Sequence, residues 1–324
     1  MDPFEKYQSV IILGSVILGL LLGQIHFVGE YAEFLIVPFL VIMLCGIFLQ
    51  IPFTQLKNSF KNLRFAGVSL AINFIFNPLL AYTLGYVFLQ GSPALWVGFI
   101  MLMVTPCTDW YLVFTGLSKG NIVLSTSILP MNLILQLILL PVYLFLFAGT
   151  ITTLNISFLI ESILIILLVP FLISVVLKWI SGKFIGEYWL EENIYPKLDH
   201  VQLTFLNLAI MSMFASQGEY LVQNPYVLVQ LIIPILIFFV IVFIFGQAVG
   251  KFIGFNYQDT ASLNLTTLAR NSPIALAIAL TAFPEQPLIA LALVIGPLIE
   301  LPVLGLVAQI LLFIRNKKIT DVSG

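Results

Sequence analysis

The chain has 324 residues, 60% of them hydrophobic and 9% charged, with a mean hydropathy of +1.11 and a net charge of −2. Soluble domains carry roughly 25% charged residues, which excludes water as the solvent for most of this surface. No basic patch points to nucleic acid, so the expected surroundings are a lipid bilayer.

A helical span needs about 20 apolar residues, and roughly ten such stretches follow one another along the chain. They lie near 7–28, 32–51, 66–90, 93–117, 121–148, 157–180, 199–217, 226–249, 258–283 and 286–314. All are uniformly apolar and too long for barrel strands, which alternate. The predicted class is an all-α polytopic membrane protein, a single membrane domain with short connectors. Met1-Asp2-Pro3-Phe4-Glu5-Lys6 mixes charges and is not expected to belong to a removable signal peptide. Cys45 and Cys107 both lie in predicted spans, so no disulfide framework is implied.

Basic residues set the predicted orientation. Lys6, Lys57, Lys61, Arg64, Lys119, Lys178, Lys183, Lys197, Lys251, Arg315, Lys317 and Lys318 fall on one side if there are ten spans. The three lysines from Lys178 to Lys197 lie in or beside a polar link at about 181–198. Both termini are therefore expected in the cytoplasm, with the chain in the cell membrane. Arg270 is the exception, because it falls inside the ninth span.

Two spans are interrupted in matching places. Thr105-Pro106-Cys107-Thr108-Asp109 falls in the fourth span and Arg270-Asn271-Ser272-Pro273 in the ninth. From Cys107 to Pro130 is 23 residues, and from Pro273 to Pro297 is 24. Paired discontinuous spans in corresponding halves point to the binding site of a secondary transporter. The expected organisation is two inverted five-helix repeats, 1–150 and 151–324, with helices four and nine broken and crossed.

A charge at the bilayer centre costs at least about 2.5–3.5 kcal/mol, so Asp109, Arg270 and Glu300 each call for an explanation. Asp109 and Arg270 can form a structural salt bridge, or Asp109 can bind a coupling cation or proton with Arg270 tuning it. Glu300, between Pro297 and Pro302, is too deep to snorkel and is expected to be functional. Asn132 takes roughly the place in the first half that Glu300 takes in the second. Asn73, Asn77, Asn207, Asn264 and Gln136 read as interhelical hydrogen-bonding residues. Cys107 is either a small hydrophobe or, at a helix break, a reactive thiol suited to a soft cargo.

Pro106-Cys107-Thr108, Leu117-Ser118-Lys119-Gly120, Ala269-Arg270-Asn271 with Leu276-Ala277-Ile278-Ala279, and Gly296-Pro297-Leu298-Ile299-Glu300-Leu301-Pro302 resemble the arsenical-resistance permeases. That family exports arsenite and belongs to the bile acid:sodium symporter superfamily. The resemblance covers essentially the whole chain. It implies ten spans, a panel domain and a core domain that rock against each other, and Cys107 and Glu300 as the functional pair. Two departures mark a divergent branch. The family continues Pro-Cys-Thr with Ala-Met where this chain has Asp109-Trp110, and it has an acid where this chain has Ala275.

The function expected is secondary transport. The first reading is export of arsenite or antimonite by proton or cation coupling, with Cys107 as the arsenic ligand. Cys107, Thr108, Arg270, Asn271 and Glu300 are the expected substrate-binding residues. Asp109, Asn132, Asn271 and Glu300 are the expected ion- or proton-coupling residues. The alternative is sodium-coupled uptake of a small organic anion, held by Arg270 and half-helix N-termini. An enzyme is not expected. His26 and His200 sit at span ends, no His-Glu-x-x-His occurs, and Ser272 has no nearby base. No cofactor is implied.

Overall fold

The computed structural model describes residues 8–50, 62–107, 110–148, 156–184, 189–223 and 226–323. Among them the regular structure is helical: α1 (Gln8–Gly23), α2 (His26–Leu49), α3 (Leu63–Ala71), α4 (Asn77–Phe88), α5 (Pro93–Val104), α6 (Trp110–Leu117), α7 (Ile122–Tyr143), α8 (Ile156–Phe184), α9 (Trp189–Asn193), α10 (Tyr195–Gln223), α11 (Tyr226–Ile253), α12 (Tyr257–Leu268), α13 (Ser272–Ala282) and α14 (Pro287–Ser323). A π-turn, Ile72–Phe76, joins α3 to α4, and another, Leu144–Ala148, ends α7. Seven helices among the described residues are long and apolar enough to cross a membrane, and Val10–Gly23, Pro93–Val104 and Ser272–Ala282 are shorter apolar helices.

The chain divides into two compact units, each assembled from separate stretches. One comprises Met1–Ile51, Leu154–Val227 and Pro273–Ala290; the other comprises Pro52–Thr153, Leu228–Ser272 and Leu291–Gly324. In the first, α1, α2 and α10 pack closely because small residues allow it. Gly19 and Gly23 share one face of α1. A Cβ at either would stand 2.4 Å from the carbonyl oxygen of Met211 or Ala215 on α10. This small-xxx-small approach is a device of membrane helices, where close packing substitutes for the hydrophobic drive that lipid removes.

The second unit is built around proline. Pro78 has no N–H, so the carbonyl of Phe74, four residues earlier, loses its helical partner. The helix responds by widening into the π-turn at Ile72–Phe76, with the Asn77 N–H donating to Ile72 O. The Tyr143 hydroxyl donates to Phe74 O at 2.6 Å, so the freed acceptor is satisfied from α7. A wide turn of this kind re-aims the residues within it, and Asn73 is one of them.

Short caps fix the ends of the helices that carry the site. Asn121 accepts from Leu124 N at the start of α7, and Asn256 accepts from Asp259 N at the start of α12. Gly254, with φ +79°, closes α11 in the left-handed conformation that glycine adopts without strain. The two starts are also tied together, Asn121 Nδ2 donating to Asp259 Oδ1 at 2.8 Å. α5 and α12 are buried over most of their length.

Candidate functional site

α5 stops at Val104 and α12 stops at Leu268, and the two chains meet there. Pro106 and Arg270 form an isolated antiparallel bridge. Cys107 N donates to Ala269 O at 2.9 Å, and Asn271 N donates to Thr105 O at 2.7 Å. Each extended segment thus satisfies backbone groups of the other, which is what non-helical chain in an apolar interior requires.

Most of the carbonyls left over at the two helix ends find a donor. Pro106 cannot donate to Leu102 O, and the Thr105 hydroxyl takes that acceptor at 3.2 Å and Met101 O at 3.0 Å. Met103 O accepts from Arg270 Nη1 at 2.8 Å. On α12, Thr266 O accepts from Asn73 Nδ2 at 3.3 Å and Thr267 O from Asn77 Nδ2 at 3.0 Å. Leu268 O accepts from Arg270 Nε at 2.9 Å, and Arg270 Nη2 also donates to Thr267 O. One arginine therefore closes the C-terminal ends of two helices, where its charge is favoured by the dipoles.

The Ala269–Arg270 peptide group is the centre of the arrangement. Its carbonyl accepts from Cys107 N, and its N–H donates to Glu300 Oε1 at 2.7 Å. Cys107, Arg270, Asn271 and Glu300 are all buried, with Cys107 only 1% exposed. Glu300 reaches this point because Gly296 lets α14 come close: a Cβ there would stand 2.6 Å from Leu102 and 3.0 Å from the Ser272 hydroxyl.

The sequence-based expectations fare differently from residue to residue. Cys107, Arg270, Asn271 and Glu300 come together. Thr108 and Asp109 lie outside the described residues, and with them the expected pairing of Asp109 with Arg270; among the described residues the Arg270 guanidinium meets helix-end carbonyls and Asn73 Oδ1 at 3.4 Å. Asn132 is one step further out. Its Oδ1 accepts from Asn73 Nδ2 at 3.4 Å, which links it to Arg270 through Asn73. Asn73 and Asn77 make the interhelical hydrogen bonds expected of them, to Asn132, Thr266 O and Thr267 O, and Asn73 in addition touches Arg270, which the sequence reading does not anticipate. Their i, i+4 spacing ahead of Pro78 places them on one face of a helix about to widen, and that was the available signal. Among the described residues no three His, Cys, Asp or Glu side chains gather as a metal-binding group. Cys45 lies in the other unit, its Sγ 3.7 Å from Pro170 O.

The description of the sodium bile acid symporter family matches residues 37–224 of this chain. The chain belongs to that family. Its members are membrane transporters, so this is a multi-pass carrier and not an enzyme. The chain is similar over nearly its full length to the arsenical-resistance protein Acr3 of Corynebacterium glutamicum, at 29% identity across 95% of this chain and 88% of that protein. It is 24% identical to Acr3 of Alkaliphilus metalliredigens, across 93% and 90% of the two chains. An uncharacterized transporter of Synechocystis sp. is 24% identical, across 96% and 88%. Arg270 and Glu300 lie beyond the stretch that the family description matches, but within the reach of these longer similarities.

Proposed function

We propose that this carrier exports arsenite or antimonite by alternating access, coupled to a proton or another cation. The observation that carries the reading is the single peptide group shared by Cys107 and Glu300. At neutral pH arsenite is an uncharged trihydroxide with a soft centre, and thiols suit such centres. Cys107 sulfur replaces one hydroxide on arsenic, and the thiol proton leaves with that hydroxide as water. A single As–S bond keeps the step reversible. Glu300 as a carboxylate accepts from the Arg270 N–H; taking up a proton weakens it as an acceptor and loosens the peptide group that also holds Cys107. Cargo and proton thereby act on one structural element. Thr108 and Asn271 flank the cargo, Asp109 and Asn132 are further coupling residues, and Arg270 supplies a fixed positive charge.

Several features support the wider arrangement. Among the described residues seven helices are long and apolar enough to cross a membrane, with Val10–Gly23, Pro93–Val104 and Ser272–Ala282 as shorter apolar helices, and we read the last two, each with its neighbour α6 or α12, as interrupted spans, for a total of ten. Ten spans divide into inverted repeats 1–150 and 151–324, with helices four and nine crossed at the Pro106–Arg270 bridge and both termini in the cytoplasm of a cell-membrane protein. The two units, interleaved along the sequence, suit a panel and a core, the core being the unit with Cys107 and Glu300.

The test is arsenite resistance in a sensitive host, comparing wild type with Cys107→Ser at matched membrane abundance. Resistance is expected to disappear in the variant; retained resistance removes the mechanism. Family membership favours a second reading, sodium-coupled uptake of a small organic anion. Sodium-dependent uptake of a labelled carboxylate that survives Cys107→Ser would replace the first reading with the second.

A further inference from the structure

The Arg270 guanidinium is placed as a coupling ion would be. In carriers, unwound backbone carbonyls and the C-terminal ends of interrupted helices coordinate the driving cation. Here Met103 O from the end of α5, Thr267 O and Leu268 O from the end of α12, and Asn73 Oδ1 from the π-turn converge on one positive group. All four acceptors are neutral oxygens, and the side chain is 3% exposed. The Phe238 ring closes another side, its centroid 5.3 Å from the guanidinium carbon.

A second observation concerns oxygens beside this cage. Among the described residues, Asn77 Oδ1 and Thr266 Oγ1 are buried and have no hydrogen-bond partner. Both residues are joined to the cage: Asn77 Nδ2 donates to Thr267 O and to Asn73 Oδ1, and Thr266 O accepts from Asn73. A guanidinium is planar and has a fixed set of five N–H directions, so it leaves such oxygens unused. A small spherical ion has no fixed directions and gathers whatever oxygens surround it.

We propose that Arg270 is a tethered cation, its guanidinium filling an alkali-cation cage built from the ends of α5 and α12 with Asn73. The chain moves its cargo without binding sodium there, and removing the side chain turns the cage into a sodium site. This rests on the alternating-access reading given above, and it assigns the coupling within that reading to a proton. Because the guanidinium is part of the chain, its occupancy does not depend on the salt outside. Any cation entering the same space is opposed by like charge at close range.

The experiment uses the full chain in detergent micelles and measures thermal unfolding in sodium, potassium or choline chloride at one ionic strength. Wild type is expected to unfold at the same temperature in all three. Arg270→Ala is expected to unfold earlier in choline and to recover by about 3–6 °C in sodium, as a ligand that binds only the folded state raises Tm. Millimolar methylguanidinium should restore it similarly. Arg270→Gln, which keeps more of the side chain's volume, gives the same comparison if the alanine variant does not fold. Arg270→Lys keeps the charge and should stay indifferent to sodium. A sodium response in wild type equal to that of the variants overturns the proposal. So do alanine and glutamine variants that behave alike in sodium and choline. The readout involves no arsenic, so a failed arsenite assay and a failed sodium response are separate results.

Discussion

Pro78 and Pro106 meet the same physical problem and resolve it differently. Each removes an N–H from an apolar helix and frees a carbonyl four residues back, Phe74 O in one case and Leu102 O in the other. At Pro78 the helix goes on after one wide turn, because the Tyr143 hydroxyl supplies the missing donor from a neighbouring helix. At Pro106 the helix stops. Thr105 satisfies Leu102 O locally, and the next carbonyl, Met103 O, is left for Arg270. Proline alone does not interrupt a membrane helix, since Pro38, Pro130, Pro141, Pro170, Pro234, Pro297 and Pro302 all lie within helices. The interruption forms where a second extended segment and a charged side chain can take up the freed groups.

The largest effect should come from removing that charged donor. Arg270→Met keeps an unbranched, largely apolar stem but leaves Met103 O and Leu268 O without their guanidinium donor. Each such group costs about 1–3 kcal/mol, so a loss of about 3–5 kcal/mol is expected in choline chloride. Denaturant unfolding in micelles measures it. A loss under about 1 kcal/mol would mean that the two helix ends do not depend on the arginine.

Glu300 separates structure from coupling. Glu300→Gln retains an oxygen that can accept from the Arg270 N–H, so its stability should stay within about 1 kcal/mol of wild type. Glu300→Leu loses the acceptor and should cost about 2 kcal/mol. The glutamine variant has no exchangeable carboxyl proton, and its transport in proteoliposomes should no longer respond to an imposed pH gradient. An intact response would move the proton site to another residue.

Much of this was legible in the amino-acid sequence. Apolar runs of about 20 residues specify membrane helices because backbone in lipid has few alternatives. The motifs around Cys107 and Glu300 were sufficient to suggest the family to which the chain belongs. What the sequence hid was the peptide group between Ala269 and Arg270. Its two hydrogen bonds are made by backbone and by a carboxylate 30 residues away, and side-chain identities leave no record of a backbone partner. Backbone carbonyls are present at every residue, so their convergence on a guanidinium follows from where two helices end and not from any residue type. The contact of Asn73 with Arg270 was not legible because the π-turn that aims it arises at a proline five residues later.

The smallest predicted effect tests the Pro78 side of the comparison. Tyr143→Phe removes the donor to Phe74 O and should cost about 1 kcal/mol, the net worth of one hydrogen bond and its desolvated partner. Pro78→Ala restores an N–H that can reach Phe74 O once the turn tightens. In that background Tyr143→Phe should cost much less, because the carbonyl has a new donor. The double-mutant cycle should therefore give a coupling of about 0.5–1.5 kcal/mol. Thermal unfolding of the four proteins in one detergent supplies the numbers. Additive losses would mean that the hydroxyl and the missing N–H do not act on the same carbonyl. The widened turn would then owe its shape to packing around Asn73 and Phe76 and not to proline.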